Sequence, residues 1–130
     1  MEEVKVTVTS WIIMTPDSSF WQEIAQLVKN NPIIIDRPKH SAHPRYPEII
    51  YPLDYGYLEN TTAPDGGGID LWLGSLETKT LTGILCTFDT LKRDMEIKLL
   101  LGCTDDDLQI IQKFRGEMYT LYIPNPEVDP

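Results

Sequence analysis

The sequence is poor in cysteine, histidine and positive charge, and it contains no long apolar run. Two cysteines, Cys86 and Cys103, in 130 residues cannot form a disulfide framework, and a chain with so few is expected in the cytoplasm. The two histidines, His40 and His43, share one loop with neither cysteine near them, so the spacing of a zinc quartet is missing. Both are expected to be exposed or hydrogen-bonded. Eleven Lys and Arg stand against twenty Asp and Glu, a formal net charge of −9. That balance excludes the basic footprint on which non-specific nucleic-acid binding depends, including binding by an OB-type module. The same charge repels a bare polyanion, so an anionic ligand has to be accompanied by metal ions. No apolar run approaches bilayer length and the first residues lack a signal-peptide layout, so no membrane partner is expected.

What is present is the composition of a globular protein, 42% hydrophobic and 24% charged, and the length of one domain, residues 1–130. Glu2 to Ile13 alternates Val4, Val6 and Val8 with Lys5, Thr7 and Thr9 in a strand pattern, and residues 1–14 read as an N-terminal extension strand. Pro16-Asp17-Ser18-Ser19 opens a helix whose capping box is expected at Ser19 and Gln22. Its apolar stripe contains Trp21, Ile24 and Val28, and Asn30-Asn31-Pro32 ends it. Strands are expected at Ile33–Ile35, Ile69–Leu73, Lys79–Asp89, Met95–Leu101 and Met118–Ile123. A second helix starts at Thr104, carries Asp105, Asp106 and Asp107 in its first turn as dipole-complementing caps, and stops at Gly116. Short strands with two helices indicate an α+β fold.

The most informative stretch is Tyr51 to Gly74, YPLDYGYLENTTAPDGGGIDLWLG. A tyrosine-rich turn leads to an acidic glycine loop and then a short apolar strand. Gly66, Gly67 and Gly68 allow the backbone to approach a ligand closely. Period-two alternation sends Ile69, Leu71 and Leu73 to one face of the strand and Asp70 to the other. Asp65 before the loop and Asp70 after it can therefore converge, as oxygen ligands for a hard cation do. The alternative is plain turn chemistry joining two strands.

Two further groups carry chemical side chains. The proline-punctuated segment IDRPKHSAHPRYPEIIYP is expected to be an extended loop bearing Arg37, Lys39 and Arg45. In MEIKLLL, Met95, Ile97, Leu99 and Leu101 share one face, while Glu96 and Lys98 share the other. Acid and base on one side of a strand form either a structural ion pair or part of a site. Cys103, near the start of the second helix, reads as a structural thiol.

YPLDYGYL followed by DGGGID resembles the signature of the soluble family I inorganic pyrophosphatases. In that family Tyr-Pro-x-Asp/Asn-Tyr-Gly-Phe/Tyr precedes a spacer with a Thr and then D-G-D-P-x-D, and both outer aspartates fall at the family spacing. DRPKHS resembles the family's Glu-x-Pro-Lys-Gly-Ser, RYPE its Lys-Tyr-Glu, and Glu96-Ile97-Lys98 its Asp-x-Lys. The resemblance covers roughly residues 35–101. It implies a small five-stranded OB-like β-barrel with two flanking helices, in a homo-oligomer. It also implies Mg²⁺-dependent hydrolysis of inorganic diphosphate by a metal-activated water. Carried over, Asp65, Asp70, Glu96 and Asp89 (or Asp94) would bind metal. Arg45, Lys39, Tyr55 and Lys98 would hold phosphate, and Asp70, Asp65, Tyr55 and Lys98 would be catalytic. The chain departs from the pattern in three places. Gly67 replaces the middle aspartate, a hairpin before the Tyr-Pro motif is missing, and the late Tyr-Lys pair has only Lys113 and Arg115 as loose counterparts. A barrel that binds metal-phosphate or a protein without turnover, or that cleaves another phosphoanhydride, is the alternative.

Overall fold

The computed structural model describes residues 2–5, 7, 16–114 and 118–128. The expected N-terminal strand over residues 1–14, the helix stop at Gly116 and Arg115 fall wholly or largely outside the described residues. Helix α1 spans Ser18–Asn30. Its N-cap is Asp17, whose carboxylate accepts the Phe20 backbone N–H at 3.0 Å, rather than the Ser19 and Gln22 capping box expected from sequence. An aspartate at that position satisfies an otherwise unpaired amide and complements the helix dipole. The far end is closed by Asn31, whose side chain donates to the Leu27 carbonyl.

Six strands follow: β1 Ile33–Arg37, β2 Asp54–Leu58, β3 Ile69–Leu73, β4 Leu81–Asp89, β5 Asp94–Leu101 and β6 Met118–Pro124, with helix α2 (Asp105–Lys113) between the last two. They form one sheet in the order β1-β2-β3-β5-β4-β6. Every pairing is antiparallel except β3 with β5. The α+β class and the two helices match expectation, but the barrel does not. The sheet has six strands instead of five, and among the described residues its edge strands β1 and β6 do not pair, so it stays open.

The sheet is covered on both faces. One carries Leu58, Leu71, Ile84, Leu99 and Leu101, onto which α1 packs Trp21, Ile24, Leu27 and Val28. The other carries Trp72, Leu85 and Leu100 beneath Leu108, Ile111 and Phe114, with Tyr51 and Leu53 at the side. The period-two expectation for β3 holds, with Leu71 packed on one face and Trp72, beside Asp70, on the other. In β5, Leu99 and Leu101 are buried, but Met95 and Ile97 on the same face are exposed. That half of the strand extends past the area α1 covers.

Two local devices set the geometry of the second face. The α2 N-terminus has a capping box in which Thr104 Oγ1 accepts from Asp107 N and Asp107 Oδ2 accepts from Thr104 N. Asp107 Oδ2 also accepts from Ser75 N and Ser75 Oγ, which ties the chain leaving β3 to the helix. Between β1 and β2, residues 40–51 fold back on themselves as a narrow arm instead of the expected extended loop. His40 N donates to Tyr51 O, Tyr51 N to Ser41 O, and His43 N to Ile49 O. Among the described residues no helix is long and apolar enough to cross a membrane.

Candidate functional site

The site lies on the second face of the sheet, beyond the end of the aromatic packing under α2. Tyr51 and Tyr55 form its floor and rest on the rings behind them, with Tyr55 edge-on to Trp72 at 4.7 Å between ring centroids and Phe114 at 5.1 Å from Tyr51. Beside that floor the strands present polar side chains, because register puts them there. Tyr55 pairs with Trp72, Tyr57 with Asp70, Thr87 with Glu96 and Asp89 with Asp94. Directly paired residues share a face.

These side chains line a polar cleft of about 240 Å³ whose walls include Arg37, Tyr55, Asp70, Asp89, Glu96 and Lys98. Lys98 is its centre. The buried ammonium donates to Tyr55 Oη at 2.7 Å and to Glu96 Oε2 at 2.8 Å, and Asp70 Oδ2 lies 3.8 Å away. A buried cation needs such partners to offset its desolvation. Burial, reinforced by the Asp70 charge, pushes the Tyr55 phenol well above its usual range, so its hydroxyl keeps its proton. Burial also raises Asp70, while Lys98 and Tyr55 act in the opposite direction.

Arg37 is a member that sequence reasoning did not place. It donates to Tyr51 Oη at 3.2 Å and its guanidinium lies over the Tyr51 ring at 5.8 Å. The cause is a β-bulge. Ile34 pairs with Tyr57 and Arg37 with Tyr55, so three steps on β1 match two on β2. Without the extra residue, Asp36 would pair with Tyr55 and Arg37 would point to the opposite face. The approach of the two strands at this point depends on Gly56, where a Cβ would overlap the Ile34 carbonyl. The Gly56 of the tyrosine motif was the available signal, although its partner strand was not.

The other expected residues fall as follows. Tyr55, Asp70, Glu96 and Lys98 come together, and Asp89 and Asp94 line the same cleft. Asp89 is buried and its Oδ1 accepts the Leu91 and Lys92 amides, which shapes the β4–β5 turn. Asp65 is near enough for its charge to act on Asp70, but it is exposed, does not line the cleft and accepts the Gly67 amide at 3.0 Å. Arg45 is exposed near the tip of the 40–51 arm and Lys39 is exposed beside it; neither lines the cleft. Lys39 contributes its backbone N–H to Asp54. His43 accepts the Arg45 and Tyr46 amides through Nδ1, as expected of a hydrogen-bonded loop histidine. Cys103 is buried, and desolvation raises its thiol to about 12, in keeping with a structural role.

The cleft holds five carboxylates (Asp36, Asp70, Asp89, Asp94 and Glu96) and three cations (Arg37, Lys92 and Lys98). Among the described residues no three His, Cys, Asp or Glu side chains are grouped closely enough to cage a metal ion by themselves. This donor set suits Mg²⁺, which commonly takes one or two carboxylates, keeps several waters and shares the substrate's phosphate oxygens. It does not suit a cation that requires a closed protein cage.

No family model matches the chain, and no curated protein matches it. Among solved structures it is similar to an inorganic pyrophosphatase from Helicobacter pylori, at 16% identity and a TM-score of 0.46, over 71% of this chain and 81% of that one. It is similar also to a structure from Anaplasma phagocytophilum described as an inorganic phosphatase, at 15% identity and a TM-score of 0.45, with the same coverage. At that level of similarity, chemistry has to come from the site's own side chains.

Proposed function

We propose that the chain is a cytoplasmic, Mg²⁺-dependent hydrolase of inorganic diphosphate acting in the Lys98 cleft. The observation that carries this reading is the set of contacts around Lys98: one buried ammonium shared by the Tyr55 hydroxyl and two carboxylates in a cleft with excess negative charge. An acidic cleft built around a cation donor suits an anion that arrives with metal ions.

Lys98 and Arg37 bind phosphate oxygens, Arg37 through a planar fork that can grip two at once. Tyr55 donates its hydroxyl to the oxygen on which charge develops as the bridging bond breaks, and its burial keeps that proton in place. Arg37 takes the role for which Arg45 was expected. Asp70 and Glu96, with Asp89, Asp94 and nearby Asp65, are the carboxylates available to hold Mg²⁺, which when bound neutralises the diphosphate and lowers the pKa of a water. Asp70 receives the proton from the attacking water, and the Tyr51 and Tyr55 rings, backed by Trp72, keep bulk solvent from the floor of the site.

A second reading has its own support. Gly67 offers no carboxylate, and the 65–68 loop places none in the cleft, which favours binding of metal-phosphate without turnover. Calorimetric titration with methylene diphosphonate, which resists hydrolysis, tests the binding shared by both readings. Binding that requires Mg²⁺ and is lost in Lys98→Met is expected. Binding equally tight without a divalent cation, or unchanged in Lys98→Met, would remove the site from consideration. Phosphate release from diphosphate then separates enzyme from binder.

A further inference from the structure

Beside the cleft, between α2 and the sheet, lies a second cavity of about 70 Å³. Trp72, Leu85, Ile111 and Phe114 wall it, and Thr87 and Thr120 line its sheet side. Register accounts for the space. Thr87 on β4 pairs with Thr120 on β6, so two short side chains stand together at the edge of the α2 packing. Larger side chains at that pair would close the gap, as interiors normally do. Alternation makes cavity and cleft neighbours on one face. Along β4, Leu85 and Thr87 belong to the cavity and Asp89 to the cleft, each two residues from the last. Tyr51, Tyr55, Lys98 and Met118 line both. Among the described residues, Lys98 is the one charged side chain on the cavity's walls, whereas the cleft carries five carboxylates.

We propose that this cavity receives a short apolar group esterified to the diphosphate, so that the preferred substrate is an alkyl diphosphate. The inference rests on the Lys98 cleft as the place where diphosphate is hydrolysed. Inorganic diphosphate occupies only the polar cleft, and an alkyl group on one phosphate buries its carbons among the walls next door. Volume limits that group. About 70 Å³ is roughly half of an apolar cavity that takes benzene, about 150 Å³, so about four carbons fit and a nucleobase does not. The reaction balances as it does for the inorganic anion. The water's oxygen bonds to the terminal phosphorus, the bridging P–O bond breaks, and its electron pair leaves on the alkyl monophosphate. One water proton passes to Asp70 and the other stays on the inorganic phosphate released. Tyr55, which donates to the leaving oxygen, stands at the boundary of cavity and cleft, and this puts the ester on the leaving phosphate.

Phosphate release with Mg²⁺ from inorganic, methyl, isobutyl and adenosine diphosphates tests the proposal, in wild type and in Thr120→Phe, whose ring fills the cavity. Each buried methylene is worth roughly a factor of four, so wild type is expected to favour isobutyl over methyl diphosphate about fiftyfold in kcat/KM. Adenosine diphosphate is expected to be used no better than the methyl ester. Thr120→Phe should bring the isobutyl-to-methyl ratio within about fivefold. The ratio is taken within each protein, so a change in overall rate does not enter it, and if the variant does not fold the wild-type series decides alone. Equal use of the methyl and isobutyl esters would overturn the proposal. So would a preference that Thr120→Phe leaves intact, or an adenosine ester used as well as the isobutyl one. Cleavage of inorganic diphosphate with neither alkyl ester cleaved overturns this inference and leaves the cleft reading standing. Cleavage of none of the four removes both.

Discussion

The Lys98 ammonium lies 2.7 Å from the Tyr55 hydroxyl, joining residues 43 positions apart across two strands that do not pair with each other. β3 stands between β2 and β5, and its Asp70 faces the same ammonium at 3.8 Å. The three strands thus contribute a phenol, a carboxylate and an ammonium to one volume.

Tyr55→Phe separates the hydroxyl's chemistry from the ring's packing. The ring keeps its contacts with Trp72 and Tyr51, so stability is expected to fall by only about 1 kcal/mol, the value of one hydrogen bond. Diphosphate turnover is expected to fall about 10²-fold, as when one transition-state donor is lost. Steady-state kinetics beside a thermal melt would check both, and a full-rate phenylalanine variant would remove Tyr55 from the mechanism.

Arg37 and Arg45 give opposite expectations. Arg37→Gln should raise KM for diphosphate about tenfold or more, because a bidentate grip on phosphate is lost. Arg45→Gln, on the exposed arm, should leave KM within about twofold, as surface changes away from a site do. The reverse result would show that the arm closes over the substrate.

Strand alternation fixed the faces of Asp70 and of Glu96 with Lys98, whereas their grouping, and Tyr55 with them, came only from the resemblance, because the segment that forms β2 (Asp54–Leu58) reads in sequence as a tyrosine-rich turn. Arg37 was not legible, since a one-residue bulge decides its direction and bulges have no signature in IIIDR. The open sheet was equally hidden. Closure depends on whether β1 meets β6, a long-range pairing that the local patterns of Ile33–Arg37 and Met118–Pro124 do not encode. The exposure of Met95 and Ile97 has the same origin, because alternation gives the face but not how far α1 reaches. Asp107 was legible as a cap, whereas its hold on Ser75 required the fold.

Asp107 makes stability depend on pH. Burial alone would raise its carboxyl, but hydrogen bonds from Ser75 and Thr104 outweigh that and hold it below the usual carboxylate value. The unfolded chain therefore takes up this proton first as pH falls. The contribution is fully present above about pH 5 and is lost as pH drops through the ordinary carboxylate value to the lowered native one. Asp107→Ala should cost about 2–3 kcal/mol at neutral pH and flatten the acid limb of a plot of Tm against pH. An acid limb as steep as wild type would contradict this assignment.

Gly56→Ala probes the bulge. The added Cβ overlaps the Ile34 carbonyl, so β1 has to move from β2 or the chain has to lose its fold. A loss of about 2–4 kcal/mol is expected, and any folded protein recovered should show the KM defect of Arg37→Gln. Chemical denaturation with kinetics on the residual folded fraction would measure both, and a variant with wild-type stability would contradict the close approach at Gly56.

Phosphate release from inorganic diphosphate, measured with and without Mg²⁺ in wild type, Lys98→Met and Asp70→Asn, tests the central claim most directly. The account predicts Mg²⁺-dependent release by wild type and a loss of about 10²-fold or more in each variant, with folded circular-dichroism spectra throughout. Clean wild-type protein that releases no phosphate, or variants that release it at the wild-type rate, would contradict it.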